Sequence, residues 1–128
     1  MYIQIIGIAA AGAIGTIVRY GITRIAAGFF VTEFFIGTLI VNLLGAMLFG
    51  LIIGLITNGI IHEYWKTIIL TGFLGGFTTF SAFAYENYQL WNNQKYLYFL
   101  INIISQNVLG IAAIILGLFL AGLITTQT

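Results

Sequence analysis

Gly72-Phe-Leu-Gly75-Gly76-Phe-Thr78-Thr79-Phe80-Ser81 lies in the middle of a hydrophobic segment long enough to cross a bilayer. Hydrocarbon offers no water to a freed N–H or C=O. A helix broken at membrane depth therefore persists only where protein, an ion or trapped water satisfies the liberated groups. The run marks a site, and with it a permeation or binding path.

The rest of the chain agrees with a membrane setting. Of 128 residues, 61% are hydrophobic and 5% charged, with no proline and no cysteine. Soluble domains carry about a quarter charged residues, so the composition alone moves this chain into the integral membrane class. Without cysteine there are no disulfides, thiolate metal sites or cysteine nucleophiles, and the redox compartment stays open. A net charge of +1 provides no basic surface, so no nucleic-acid partner is expected. The amino-terminal run has no cationic region ahead of it and no polar mature domain behind it, so it reads as a retained span.

Apolar runs cover Tyr2 to Gly28, Phe34 to Thr57, Tyr64 to Asn93 and Tyr96 to Thr125. Each reaches the ~20 residues that a transmembrane helix needs. The expectation is an all-α membrane protein, residues 1–128 forming one transmembrane channel domain of four helices, the third broken near the midplane. The connections at Phe29 to Glu33, Asn58 to Glu63 and Asn92 to Lys95 are too short for a soluble catalytic domain, so any chemistry sits in the helices. Tyr64, Trp65, Trp91, Tyr96 and Tyr98 fall near the proposed ends, where amphipathic rings favour the headgroup region. Lys66 on the side of the termini is set against Arg24 and Lys95 on the other. So small a difference gives the positive-inside rule little to act on, and either dual insertion or a pair of opposed orientations follows.

Four short helices leave little room for a hydrated path, so an oligomer is expected. Small residues at helical spacing, Gly50 with Gly54 and Ala113 with Gly117 and Ala121, serve close packing either within one subunit or between two. Counted inward from the face carrying the first and third loops, Arg19, Asn42, Glu86, Asn102, Ser105 and Gln106 share a layer about 10 to 15 Å deep. Asn102, Ser105 and Gln106 share one side of the fourth helix. Arg19 and Glu86 are the deep pair of opposite sign, and intramembrane charges face a partner or a wet cavity. Either they neutralise each other and brace the fold, or Arg19 enriches anions in a vestibule. Asn42, four residues after Thr38, is either an interhelical bond or a pore-lining donor. Phe73 and Phe77 read as packing residues. Phe80 and Phe83, interleaved with Ser81, can turn ring edges toward a small anion without supplying a trapping charge.

Gly15-x-x-x-Arg19, Gly37-Thr38-Leu-Ile-Val-Asn42-Leu-Leu, and Gly72-x-x-Gly75-Gly76-x-x-Thr79-Phe80-Ser81-x-Phe83-x-x-Glu86 occupy three of the four spans. Together they resemble the Fluc (CrcB) fluoride channels over nearly the full length. The resemblance implies an antiparallel dual-topology dimer in a bacterial cell membrane, with two pores that export fluoride passively and exclude chloride. It implies that Phe80 and Phe83 are pore phenylalanines, Asn42 a pore-side donor and Arg19 a vestibule cation. Thr79, Ser81 and Glu86 come from the same block and join them as pore candidates. It further implies that the main-chain carbonyls of Gly75 and Thr78, from both subunits, hold a structural sodium ion. The chain departs from the pattern at Ala82, where many relatives carry a second hydroxyl, and at Gly110 and Ile114, which stand in place of a hydroxyl track. Either Asn102, Ser105 and Gln106 supply a shifted polar track, or the chain is one half of a paired, heterodimeric channel.

Other classes fare worse. A small multidrug exporter needs a membrane-embedded acid in its first helix, and that helix holds Arg19 and no acid. A non-conducting accessory subunit would make the polar layer purely structural. An enzyme is not expected, because His62 and Glu63 have no further ligand nearby and no nucleophile, base and orienter can be assembled.

Overall fold

The structure is a computed structural model that describes residues 2–29 and 35–126. Helix α1 is Tyr2–Phe29 and α2 is Ile36–Thr57. The third span, Tyr64–Asn92, comes in two pieces: α3, residues 64–77, and α4, Phe80–Asn92. Helix α5 is Tyr96–Thr125. Among the described residues there are thus four spans long and apolar enough to cross a membrane, and no strand. Three of the four span starts and all four ends lie within a residue of their expected positions. The expected first connection, and the expected start of the second span at Phe34, lie outside the described residues from 30 to 34.

Two close helix pairs organise the subunit. In the first, α2 lies along α5. An ideal Cβ on Gly50 would strike the main chain of Ile114, one on Gly117 would strike the main chain of Met47, and one on Gly54 would meet the Ala121 methyl. The small residues at helical spacing therefore work inside one subunit, where apolar lipid provides no hydrophobic drive and close van der Waals packing must supply the attraction. In the second pair, α1 lies along α3, with Gly15 against Phe73 and Phe77, Gly72 against Ile8 and Ala11, and Gly76 against Gly12.

Between the pairs sits a small core of Val41, Leu74 and Phe77, flanked by Ile22, Leu48, Leu70 and Phe73. The rings of Phe73 and Phe77 stack at 5.7 Å, so both pack against neighbours as expected. Outside this core the surface is apolar, as a lipid-facing surface must be; α1 and α5 expose isoleucines and leucines along their length.

The helix α2 stops at Asn58. The Asn58 and Gly59 N–H groups return to the Gly54 and Ile56 carbonyls, and Gly59 takes the left-handed φ of 77° that glycine accepts without strain. Trp91 meets Tyr96 and Phe99 edge-on at 5.1 and 5.4 Å across the turn between α4 and α5. These rings occupy the boundary where amphipathic aromatics anchor.

Candidate functional site

The interruption falls at two residues. Helical winding continues through Phe77, then Thr78 (φ −83°, ψ 160°) and Thr79 (φ −149°, ψ 114°) are extended before α4 begins at Phe80. The glycines of the quoted run do not form the break. Gly72 and Gly76 remain helical and let α1 approach, while the threonines carry the extended backbone.

Several groups freed by the break find partners of different kinds. Asn42 Oδ1 accepts from Thr79 N–H at 2.9 Å, and Asn42 Nδ2 donates to Thr79 O at 3.1 Å. One side-chain amide thus reads both polar groups of a single extended residue, as a neighbouring strand would. Asn42 Nδ2 also donates to Gln106 Oε1 at 3.2 Å. Thr79 Oγ1 accepts from Ala82 N–H at 3.2 Å and so caps the start of α4. Its Oγ1 also lies 3.2 Å from Ser81 Oγ. At the end of α3, Arg19 Nε donates to Gly76 O at 3.1 Å and Thr16 Oγ1 to the same oxygen at 3.4 Å. A cation at a helix C-terminus is favoured by the exposed carbonyls and the helix dipole.

This rerouting singles out two carbonyls. In an unbroken helix Thr79 N–H would bond Gly75 O, and Ala82 N–H would bond Thr78 O. Both donors are diverted, the first to Asn42 and the second to Thr79 Oγ1. The Gly75 and Thr78 oxygens are thereby available to a ligand, and main-chain carbonyls suit a hard cation. Gly75 is also exposed, and a Cβ on it would meet only Leu70 O at 3.8 Å. Nothing within the subunit demands glycine there. Among the described residues no cluster of three His, Asp or Glu side chains could hold a metal instead.

Beside the break a cavity of about 520 Å³ is lined by Asn42, Thr78, Thr79, Phe80, Phe83 and Gln106. Asn107, Phe49, two glycines and aliphatic side chains close the remainder. The Phe80 and Phe83 rings lie 5.6 Å apart, tilted by 54°. Phe80 is 78% exposed in the subunit, which separates it from the packed Phe77 at 2%. The cavity therefore combines amides, hydroxyls and ring edges with no charged side chain in its lining, a surface suited to replacing the water of a small ion without trapping it.

The expected polar layer separates into local groups. Arg19 and Glu86 do not pair; among the described residues the salt bridge is the surface Lys66–Glu63 contact at 2.7 Å. Each deep charge has a different partner, Arg19 the Gly76 carbonyl and Glu86 the Thr38 hydroxyl, which donates to its Oε1. The bracing ion pair is thus replaced by an arginine cap on α3 and a carboxyl–hydroxyl bond between α4 and α2. Asn102 is fully buried and donates to Asn87 Oδ1 at 3.3 Å, while Asn87 donates to Phe83 O at 2.9 Å. Ser105 is half-buried and makes no hydrogen bond among the described residues. Of these three residues on α5, only Gln106 bonds to the Asn42 that holds the break; its neighbour Asn107 also lines the cavity.

Thr16, Thr38, Asn87 and Asn107 are participants that the sequence pattern alone does not single out. Thr38 was visible only as the neighbour of Asn42, and Asn87 was overshadowed by the charge beside it. A polar residue four positions after Phe83 on an apolar helix was the available signal.

A family model described as "CrcB-like protein, Camphor Resistance (CrcB)" matches residues 6–118. The chain is similar to the "Fluoride-specific ion channel FluC" of Maridesulfovibrio salexigens, 39% identical over 120 residues, covering 93% of this chain and 95% of that protein. It is likewise similar to proteins of the same description from Nitrosococcus oceani, 38% identical over 97% of this chain and 100% of the other. For Chloroflexus aurantiacus the identity is 40%, over 89% of this chain and 91% of the other.

Proposed function

This chain belongs to the CrcB family, and from that premise we propose that it is a fluoride channel, passive and selective, formed by two antiparallel subunits with two pores. It is not an enzyme. The observation that carries the reading is the break at Thr78–Thr79, with its donors rerouted through Asn42 and its neighbouring cavity edged by Phe80 and Phe83.

Fluoride holds its water tightly, so a pore must return comparable donors at every step. Amide and hydroxyl groups around Thr79, Ser81 and Gln106, together with the positive edges of Phe80 and Phe83, offer such a sequence of weak sites. Arg19 contributes a fixed positive potential that attracts anions toward the break. Glu86 and Asn102, bonded to Thr38 and Asn87, are proposed to support the route from outside the cavity lining, and Ser105 lies outside that lining as well. The partner is a second copy or a paralogue in the same lipid bilayer, and the setting is the inner membrane of a bacterium.

The diverted carbonyls of Gly75 and Thr78, doubled by a partner, fit a central sodium ion. When bound, that ion would supply a structural positive charge at the crossing of two broken spans. Replacing sodium with choline throughout purification and assay is expected to lower fluoride efflux several-fold, with recovery when sodium is restored. Unchanged efflux in scrupulously sodium-free buffer would remove the ion from the proposal.

The test of the function is release from liposomes loaded with potassium fluoride, with valinomycin added to relieve the charge limitation. Release within seconds is expected for fluoride and none above background for chloride. Release that requires a co-purified paralogue would assign the chain to a paired channel, in keeping with Ala82, Gly110 and Ile114. Silence from both preparations would end the channel reading.

A further inference from the structure

We infer that Gln106 presents the amide hydrogens to the anion in this chain, and that Asn42 is a positioning residue fixing which end of the Gln106 amide faces the cavity. The inference rests on the channel reading above and specifies its donor.

A primary amide has two N–H donors and one acceptor oxygen. Every one of these is engaged on Asn42: Oδ1 by Thr79 N–H, Nδ2 by Thr79 O and by Gln106 Oε1. To bind a passing ion Asn42 would have to abandon either the Thr79 carbonyl of the break or the Gln106 oxygen. Gln106 is in the opposite condition. Its oxygen is tied to Asn42, while its Nε2 is buried without a hydrogen-bond partner among the described residues, on a residue that lines the cavity. A buried donor lacking an acceptor is costly, and a small anion supplies the acceptor that the protein withholds.

The orientation is dictated step by step from the backbone. The Thr79 N–H and C=O accept only one arrangement of the Asn42 amide, since the flipped form sets donor against donor and oxygen against oxygen. Asn42 then turns an N–H toward Gln106, which must answer with its oxygen. The Gln106 amino group is left without an acceptor, on a residue that borders the cavity. The extended conformation of Thr79 is in this way transmitted through two side chains to the position of an anion donor. No charge is involved, so the ion is attracted without being trapped.

Two variants and one measurement on the native protein test this. Gln106→Glu keeps the oxygen that Asn42 needs and replaces the amino group by a second oxygen. Fluoride efflux should fall roughly ten- to a hundredfold, as when a hydrogen bond to a charged partner is lost, with gel-filtration behaviour unchanged. Asn42→Asp still accepts from Thr79 N–H but loses the donation to Thr79 O and reverses the Gln106 amide, and should lower efflux at least as much.

In the native protein labelled with ¹⁵N on glutamine and asparagine side chains, sodium fluoride should shift the Gln106 amide resonances, sodium chloride should not, and Asn42 should stay still. Fluoride-dependent shifts at Asn42 with Gln106 unmoved would overturn the inference, as would folded Gln106→Glu that conducts like the native chain. The titration decides the matter if the variants fail to fold. Native vesicles that release fluoride while Gln106 stays silent would reject only this assignment, and native vesicles that release none would reject the channel reading with it.

Discussion

Gly76→Ala is expected to leave little correctly folded protein. The methyl would stand on the main-chain oxygen of Gly12, across a close approach of α1 and α3, and a backbone cannot swing aside as a flexible side chain can. Overpacking in tight cores costs about 1–3 kcal/mol where side chains can adjust, and more where they cannot. The displacement would also move Gly76 O from Arg19 and Thr16, uncapping the end of α3 at membrane depth. The check is the yield and thermal midpoint of monodisperse protein in detergent. Gly75→Ala is the control, because its methyl meets only Leu70 O at 3.8 Å within the subunit. It should fold as a subunit and fail, if at all, in pairing and flux. Equal behaviour of the two variants would contradict the packing described for α1 and α3.

The second large effect is at Asn42. Asn42→Leu keeps a side chain forked at Cγ and does not weaken the helix, but deletes three hydrogen bonds, leaving both polar groups of Thr79 without their Asn42 partners. Each unsatisfied buried group costs about 1–3 kcal/mol. Two of them should lower the thermal midpoint measurably and rearrange the break, and fluoride efflux should drop to that of empty liposomes. Asn42→Leu protein that is as stable and as conductive as the native chain would mean that the interruption is held by something other than this amide.

Much of this was legible in the residues. The bounds of α5, Tyr96 to Thr125, coincide with the expectation, and the third span ends at Asn92 where Asn93 was expected. Apolar length and boundary aromatics carry that information locally. What was not legible is rotation about each helix axis. Depth can be counted from a loop, so Arg19 and Glu86 were correctly assigned to α1 and α4, but a count of residues does not say which way either side chain turns. Each found a partner on another helix. The glycines illustrate the same limit: spacing reveals that a close approach is allowed, while its identity, α1 at Gly72 and Gly76, resides in a segment some sixty residues away. Asn42 was recognised as important, but the reason is that the break falls at Thr79, which no local pattern distinguishes from Thr78.

The winding of α3 has a further consequence. Residues Thr67–Leu74 close their hydrogen bonds one residue later than an α-helix does. Each residue in such a coil advances through a smaller angle, so by Gly75 the chain lags behind the azimuth that a regular wheel drawn from Lys66 would assign. Cross-linking sites or helical-wheel alignments projected across this segment at a constant step would choose the wrong face beyond it, and the phase must be reset at Leu74.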